Sequence, residues 1–300
     1  MSTPTDSLLD KHLYHEQVSE LWTPSLNRLY QLIRSYTLFN FIFLLIGFCE
    51  LLFFLSFFAL MSQSTLLAFT LALFFMTLFS YFVLRLYLHA KKPDQLIALC
   101  EEYLDTCKEH LHYQEGSSEH HIALGHAAHK FAAALHEKEY TFYPLPSFLR
   151  ALDVPLEKWS CFCYWKDLYR MKELLLMTAV EEHLKVVKCE PTNVEVHASL
   201  ANAYVTLSSL YADPRKYADY DEERYIPEER YSKTMQTKFR RTAERAIEEF
   251  KILNNYAPDD PWVHVQLAYS YHDLQMPTEE IHEYEIVLSL RPQDKDTLFK

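Results

Sequence analysis

The sequence predicts an all-α protein: a two-helix transmembrane hairpin followed by an α-helical repeat solenoid. Three observations predict it. The run from Tyr36 to Leu84 is almost wholly apolar and holds a single residue of the Asp, Glu, Lys, Arg and His types, Glu50. Only 3 glycines accompany 21 tyrosines and 20 phenylalanines in 300 residues, which argues against glycine-rich phosphate loops, dinucleotide-binding units and hairpin-rich sheets and for long helices. Finally, apolar residues at helical spacing recur with a fixed period in the last third of the chain.

Residues 1–35 read as an N-terminal helical segment on the cytoplasmic side. Leu8, Leu9, Leu13, Leu21, Leu26, Leu29 and Ile33 fall at helical intervals broken by Pro24, so two short helices are expected there. Residues 36–90 form the hairpin. A hydrocarbon core of ~30 Å takes about 20 helical residues, so this run suits two spans, near Tyr36–Met61 and Leu66–Leu86. The polar tetrad Ser62-Gln63-Ser64-Thr65 is the turn. Arg28, Arg34, Arg85, Lys91 and Lys92 flank the spans while the turn is uncharged, which puts both termini in the cytoplasm. A cleaved signal is disfavoured because an acidic segment with Asp6, Asp10, Glu16 and Glu20 precedes the run.

Glu50 sits near mid-depth of the first span, where an unpaired charge costs at least ~2.5 kcal/mol on insertion scales. One reading is a proton or ion relay. The plainer one is a protonated Glu hydrogen-bonded to the second span, where Thr77 lies at equal depth if the turn centres on Gln63, or a site of homo-oligomer packing.

Net charge is −12, so phosphate repulsion disfavours a nucleic-acid partner. Six cysteines are scattered, and Cys161-x-Cys163 lacks both zinc-knuckle spacing and a second pair. Fifteen histidines include His120, His121, His126, His129 and His136, yet no His-Glu-x-x-His occurs: Tyr140 and Ile286 stand where the second histidine belongs after His136 and His282. His126 and His129 lie one turn apart without an identified third ligand, so a solvated helix face is expected and no metal or cofactor. With no nucleophile elbow either, an enzyme is not expected.

Residues 91–190 open on a helix started by Pro93, carrying Leu96, Ile97, Cys100, Tyr103, Leu104, Cys107 and Leu111 on one side and broken at Glu115–Ser118. Residues 191–300 carry the repeat. Leu267, Ala268 and Tyr271 lie on one helix, and Ile281, Tyr284, Val287, Leu290 and Pro292 on a second; Leu200, Ala201 and Tyr204 pair with Ala246, Phe250, Leu253, Tyr256 and Pro258 in the unit before. Pro258 and Pro292 are 34 residues apart. This resembles the tetratricopeptide repeat, over about 110 residues well and about 70 more poorly, where Leu124-Gly125, Ala128, Ala179, Val180, Val186 and Pro191 outline a degenerate earlier unit. Two departures stand out: an insertion of roughly thirty residues at about 208–240, with Tyr217, Tyr220, Tyr225 and Tyr231 among acidic residues, and Glu280 at a place usually held by a small residue. That insertion is either a partner-binding arm or a solvated extension of the helices. Lys295–Lys300 reads as the opening of a further unit: either Leu298 and Phe299 pack on the last complete unit as a stub, or the natural chain continues, the favoured expectation.

The resemblance implies a partner-binding groove on the first helices, lined here by Asn202, Val205 and Thr206 and by Trp262, Val265, Tyr269, His272 and Asp273. The family's clamp for a C-terminal carboxylate is absent apart from Asn202. For Trp262 the alternative is packing on the previous unit's second helix. The expected function is a membrane-anchored scaffold or adaptor, bound to the bilayer through residues 36–90 and to other proteins through the groove, in a bacterial inner membrane. Two alternatives stand beside it. One is a membrane-complex or transport subunit using Glu50. The other is a secreted effector in a host inclusion membrane, because the closely spaced hydrophobic lobes resemble chlamydial inclusion-membrane proteins.

Overall fold

The computed structural model describes residues 21–61, 65–111, 116–141, 153–216 and 225–293. Among them are eight α-helices and no strand: α1 (Trp22–Met61), α2 (Thr65–His110), α3 (Ser118–Ala134), α4 (Asp153–Cys189), α5 (Val194–Tyr211), α6 (Lys233–Tyr256), α7 (Pro261–Asp273) and α8 (Pro277–Leu290). Short 3-10 turns occupy Pro214–Lys216 and Glu228–Tyr231. Two compact units result, one of Leu21–Tyr103 and one from Leu104 onward.

In the first unit α1 and α2 are each long and apolar enough to cross a membrane, with stretches of mean hydropathy 2.4 and 2.2 in which no residue is buried. Phe41, Leu44, Phe48 and Leu55 on α1, and Phe69, Phe75, Phe79 and Leu86 on α2, face outward. Such a surface is costly in water and suited to lipid. Cross-helix contacts are aromatic and polar: Phe39 stacks on Tyr81 at 6.0 Å, and the Tyr81 hydroxyl donates to Asn40 Oδ1 at 3.1 Å. Arg28 of α1 pairs with Glu102 of α2.

Both helices run further than the sequence pattern predicts. Pro24 does not break α1; it falls in the first turn, where the missing N–H would go unpaired in any case. Pro93 does not start a helix but lies inside α2. A proline in that place removes one backbone bond and crowds the preceding turn. Contacts on either side keep the helix continuous: Lys92 sits 4.8 Å over the Tyr36 ring, and the Tyr36 hydroxyl donates to Gln95. Residues 1–20, the turn residues 62–64 and the terminal Lys295–Lys300 lie outside the described residues.

The second unit is a series of helix hairpins. α3 packs on α4, α5 on α6 and α7 on α8, while α4 against α5 and α6 against α7 join successive pairs. Each first helix is started by a local device. Asn193 accepts from Glu195 N at 3.0 Å, and Asp260 accepts from Trp262 N at 2.9 Å with Pro261 following, both relieving unpaired amides at a helix start. Gly116, at φ +89°, makes the turn before α3 in the left-handed region glycine tolerates. Gly125 lets α3 and α4 approach: a Cβ there would stand 3.2 Å from His183 Nε2 and 3.4 Å from the Ala179 carbonyl.

Most of the core is what the periodicity predicts, but Tyr256 and Ile281, at places the pattern marks as packed, are 50% and 58% exposed. Leu124, Ala128 and Phe131, then Leu200 and Ala201, then Leu267 and Ala268 are buried on the first helices, facing Ala179 and Val186, Phe250 and Leu253, and Val287 on the second. Fully burying the leucine, valine and phenylalanine side chains among these is worth ~1.5–3 kcal/mol each. α4 begins at Asp153, far upstream of any repeat helix, and α6 begins at Lys233. Within the apparent insertion, the end of α5 and the start of α6 are therefore helix.

Candidate functional site

In the hairpin, the Thr77 hydroxyl donates to Glu50 Oε1 at 2.8 Å. The contact places Thr77 opposite Glu50, as the sequence pattern expects. The other oxygen, Glu50 Oε2, is buried with no hydrogen-bond partner among the described residues. It borders a cavity of about 370 Å³ lined by Phe43, Gly47, Phe74 and Tyr81, so the acid is half-satisfied in an apolar setting.

The expected groove residues are spread along α5 and α7. Asn202 is exposed, and Val205 and Thr206 are half-buried on α5. On α7, Trp262 and Tyr269 are 40% and 42% exposed, while Val265 and Asp273 are half-buried. Trp262 also meets Phe250 edge-on at 6.1 Å, so part of its ring packs on the second helix of the preceding hairpin. His272 is exposed and its Nδ1 lies 2.9 Å from Glu280 Oε1. That contact accounts for a carboxylate where the repeat pattern has a small residue. Burial pushes the Asp273 carboxyl up, against the pull of His272 and Lys216.

A cavity of about 660 Å³ lies elsewhere, between α3, α4 and α5 and the segment before α6. His129 and Ala133 border it from α3, Trp165 and Lys172 from α4, Thr206 from α5, and Arg230 from the 3-10 turn. Thr206 alone belongs to the groove expected from sequence. The Lys172 ammonium donates to both Glu139 oxygens at 3.2 and 3.3 Å, and the two side chains are 12% and 13% exposed. Burial lowers the Lys172 pKa, with Glu139 opposing.

The described part of the insertion docks on α4 rather than reaching into solvent. Arg230 donates to the Leu210 carbonyl at 2.9 Å and lies 5.8 Å over the Tyr169 ring. Tyr140 donates to the Tyr225 carbonyl at 3.1 Å. At the centre Glu173, with its side chain 4% exposed, accepts from Arg170 and Lys238 at 2.6 Å each and from Tyr211 at 3.0 Å. Desolvation raises the Glu173 carboxyl, but these donors outweigh it and hold it below the usual range. Tyr217, Tyr220 and the acidic Asp221–Glu223 lie outside the described residues.

Of the histidines, His126 and His129 do not gather a third donor; among the described residues no group of three His, Cys, Asp or Glu could hold a metal. Burial lowers the pKa of His129 and His183, which approach each other. Burial likewise pushes the Cys163 thiol up, away from the reactive thiolate. A different set emerges instead. His121 Nδ1 lies 2.6 Å from Glu182 Oε2, His197 Nδ1 2.7 Å from Glu249 Oε2, and His264 Nδ1 2.6 Å from Glu283 Oε2. Each pair bridges the two helices of one hairpin. The signal was present but unread: each histidine falls four residues after the residue preceding its helix (Ser117, Asn193, Asp260), and each glutamate nine before Pro191, Pro258 or Pro292.

Set against known proteins, the chain matches no family model and no curated protein.

Proposed function

We propose that this protein is a membrane-anchored helical-repeat adaptor, in which α1 and α2 form a membrane-spanning hairpin and the hairpins of the second unit, similar to tetratricopeptide repeats, bind a partner protein. The observation that carries the reading is the open cavity of about 660 Å³ along the first two hairpins, together with the exposed Trp262 and Tyr269 on the third. Aromatic and apolar side chains in a recess are the usual anchors of protein interfaces. In this reading the partner contacts Asn202, Val205, Trp262, Val265, Tyr269, His272 and Asp273 and enters the cavity beside Thr206. The basic flanks of the hairpin keep both ends in the cytoplasm of a bacterium, with the spans in its inner membrane.

The test is affinity capture with the full chain in nanodiscs, comparing wild type with Trp262→Ala plus Tyr269→Ala and with Thr206→Trp, which fills the cavity. A specific partner lost from both variants supports the reading; retention of every specific partner by both overturns it.

A second reading rests on Glu50, whose Oε2 lacks a partner among the described residues: a membrane-complex subunit that uses this acid. Glu50→Gln separates the two. Loss of a proton-coupled activity with partner capture intact favours the second.

A further inference from the structure

The joints between successive hairpins share one hydrogen-bond arrangement. At the α4–α5 joint, His197 Nδ1 faces Glu249 Oε2 at 2.7 Å and its Nε2 faces the Pro191 carbonyl at 3.0 Å. At the α6–α7 joint, His264 Nδ1 faces Glu283 Oε2 at 2.6 Å and its Nε2 faces the Pro258 carbonyl at 2.9 Å. Both rings are buried, the side chains being 7% and 3% exposed.

A neutral imidazole carries one N–H, and a carboxylate and a carbonyl are both acceptors. With a neutral ring and an ionised glutamate, one ring nitrogen would therefore oppose an acceptor lone pair inside the protein. Such an unmade buried contact costs ~1–3 kcal/mol. One further proton, shared between ring and carboxyl, makes both contacts good. Each histidine thereby ties the second helix of its own hairpin to the proline that closes the previous one.

We propose that the α4–α5 joint is a proton-held latch: it closes when the His197–Glu249 pair carries the shared proton and opens when alkali removes it. Around His197, α6 contributes Glu249 and the Tyr256 ring, which stacks at 6.5 Å, while its Arg245 and Glu248 act on Tyr204; just after α4, Glu190 accepts from the Asn193 side-chain amide at 2.8 Å. Desolvation lowers the His197 pKa, but Glu249 and the Pro191 carbonyl outweigh it and the net shift is upward. The sign follows: this latch is fully engaged below the ordinary histidine value of ~6.5 and is lost as pH rises through the higher folded value.

The test uses the full chain in nanodiscs, labelled with ¹⁵N-histidine and assigned with His197→Gln and His264→Gln. Solid-state spectra recorded from pH 5 to 10 are expected to show the His197 Nδ1 environment change in one proton-loss step above the ordinary histidine range. Amide exchange at Asn193, corrected for intrinsic rate, is expected to rise by up to about tenfold per pH unit through that step. That pH dependence disappears in His197→Gln and persists in His264→Gln. A His197 ring whose spectrum does not change between pH 5 and 10 overturns the proposal, and so does an unchanged exchange profile in His197→Gln. Where a variant does not fold, the wild-type ring spectra decide.

Discussion

Replacing Glu173 with alanine removes an acceptor that joins α4, α5 and the start of α6. The Tyr211 hydroxyl, on a residue only 6% exposed, loses its partner, and a buried unsatisfied hydroxyl costs ~1–3 kcal/mol. Lys238 and Arg170 lose charge-assisted bonds, but their side chains are 41% and 45% exposed and regain water, so their share lies at the low end. The sum is about 3 kcal/mol. For a unit of this size, ~2–4 °C per kcal/mol gives a fall in Tm of ~6–12 °C, read by near-UV circular dichroism of the full chain in detergent. Glu173→Gln keeps an acceptor for Tyr211 and loses about half as much. Because Lys238 sits in α6, a double-mutant cycle of Glu173→Ala with Lys238→Ala should show coupling near 1 kcal/mol. An alanine variant within ~0.5 kcal/mol of wild type, or zero coupling, refutes the idea that this carboxylate docks the extended part of α6.

The same carboxyl predicts acid sensitivity: since its folded pKa is depressed, its contribution is present above the unfolded value of ~4.3 and fades as pH falls through the folded one, an acid limb in the melting profile that Glu173→Gln lacks. Phe250→Ala, at a residue 0% exposed, should cost ~3–5 kcal/mol in the same melts; a loss under 1 kcal/mol would contradict the packing between the second and third hairpins. In the hairpin, Glu50→Ala and Thr77→Ala should be non-additive by ~0.6–1.7 kcal/mol when helix separation is measured in a bilayer, and strict additivity would mean that their hydrogen bond contributes nothing.

The hairpin was legible because its signal is local. An apolar run with one acid and one polar tetrad predicts two long apolar helices and the depth match of Glu50 with Thr77. The buried faces of the helix hairpins were legible for the same reason, through Leu200-Ala201, Leu267-Ala268 and their partners. Features that depend on distant residues were not. Pro93 reads as a helix start unless Tyr36, nearly sixty positions earlier, is known to clasp the residues beside it. The insertion reads as solvated until Tyr169, Tyr211 and Glu173 are seen to hold it. The cavity escaped because it is assembled from α3, the extended α4 and Arg230, only one of which the repeat pattern marks. The His–Glu pairs escaped because a metal-ligand pattern along one helix does not mark them: each partner lies across the hairpin.

The central claim, a repeat adaptor tethered to a bilayer, is tested most directly by site-specific photocrosslinking in native membranes washed with alkaline carbonate. A probe at Thr206, in the cavity, is compared with one at Lys188, exposed on α4. The account predicts that the chain stays in the washed membranes and that Thr206, not Lys188, gives a discrete protein adduct. Release of the chain by carbonate, or adducts alike at both positions, would contradict it.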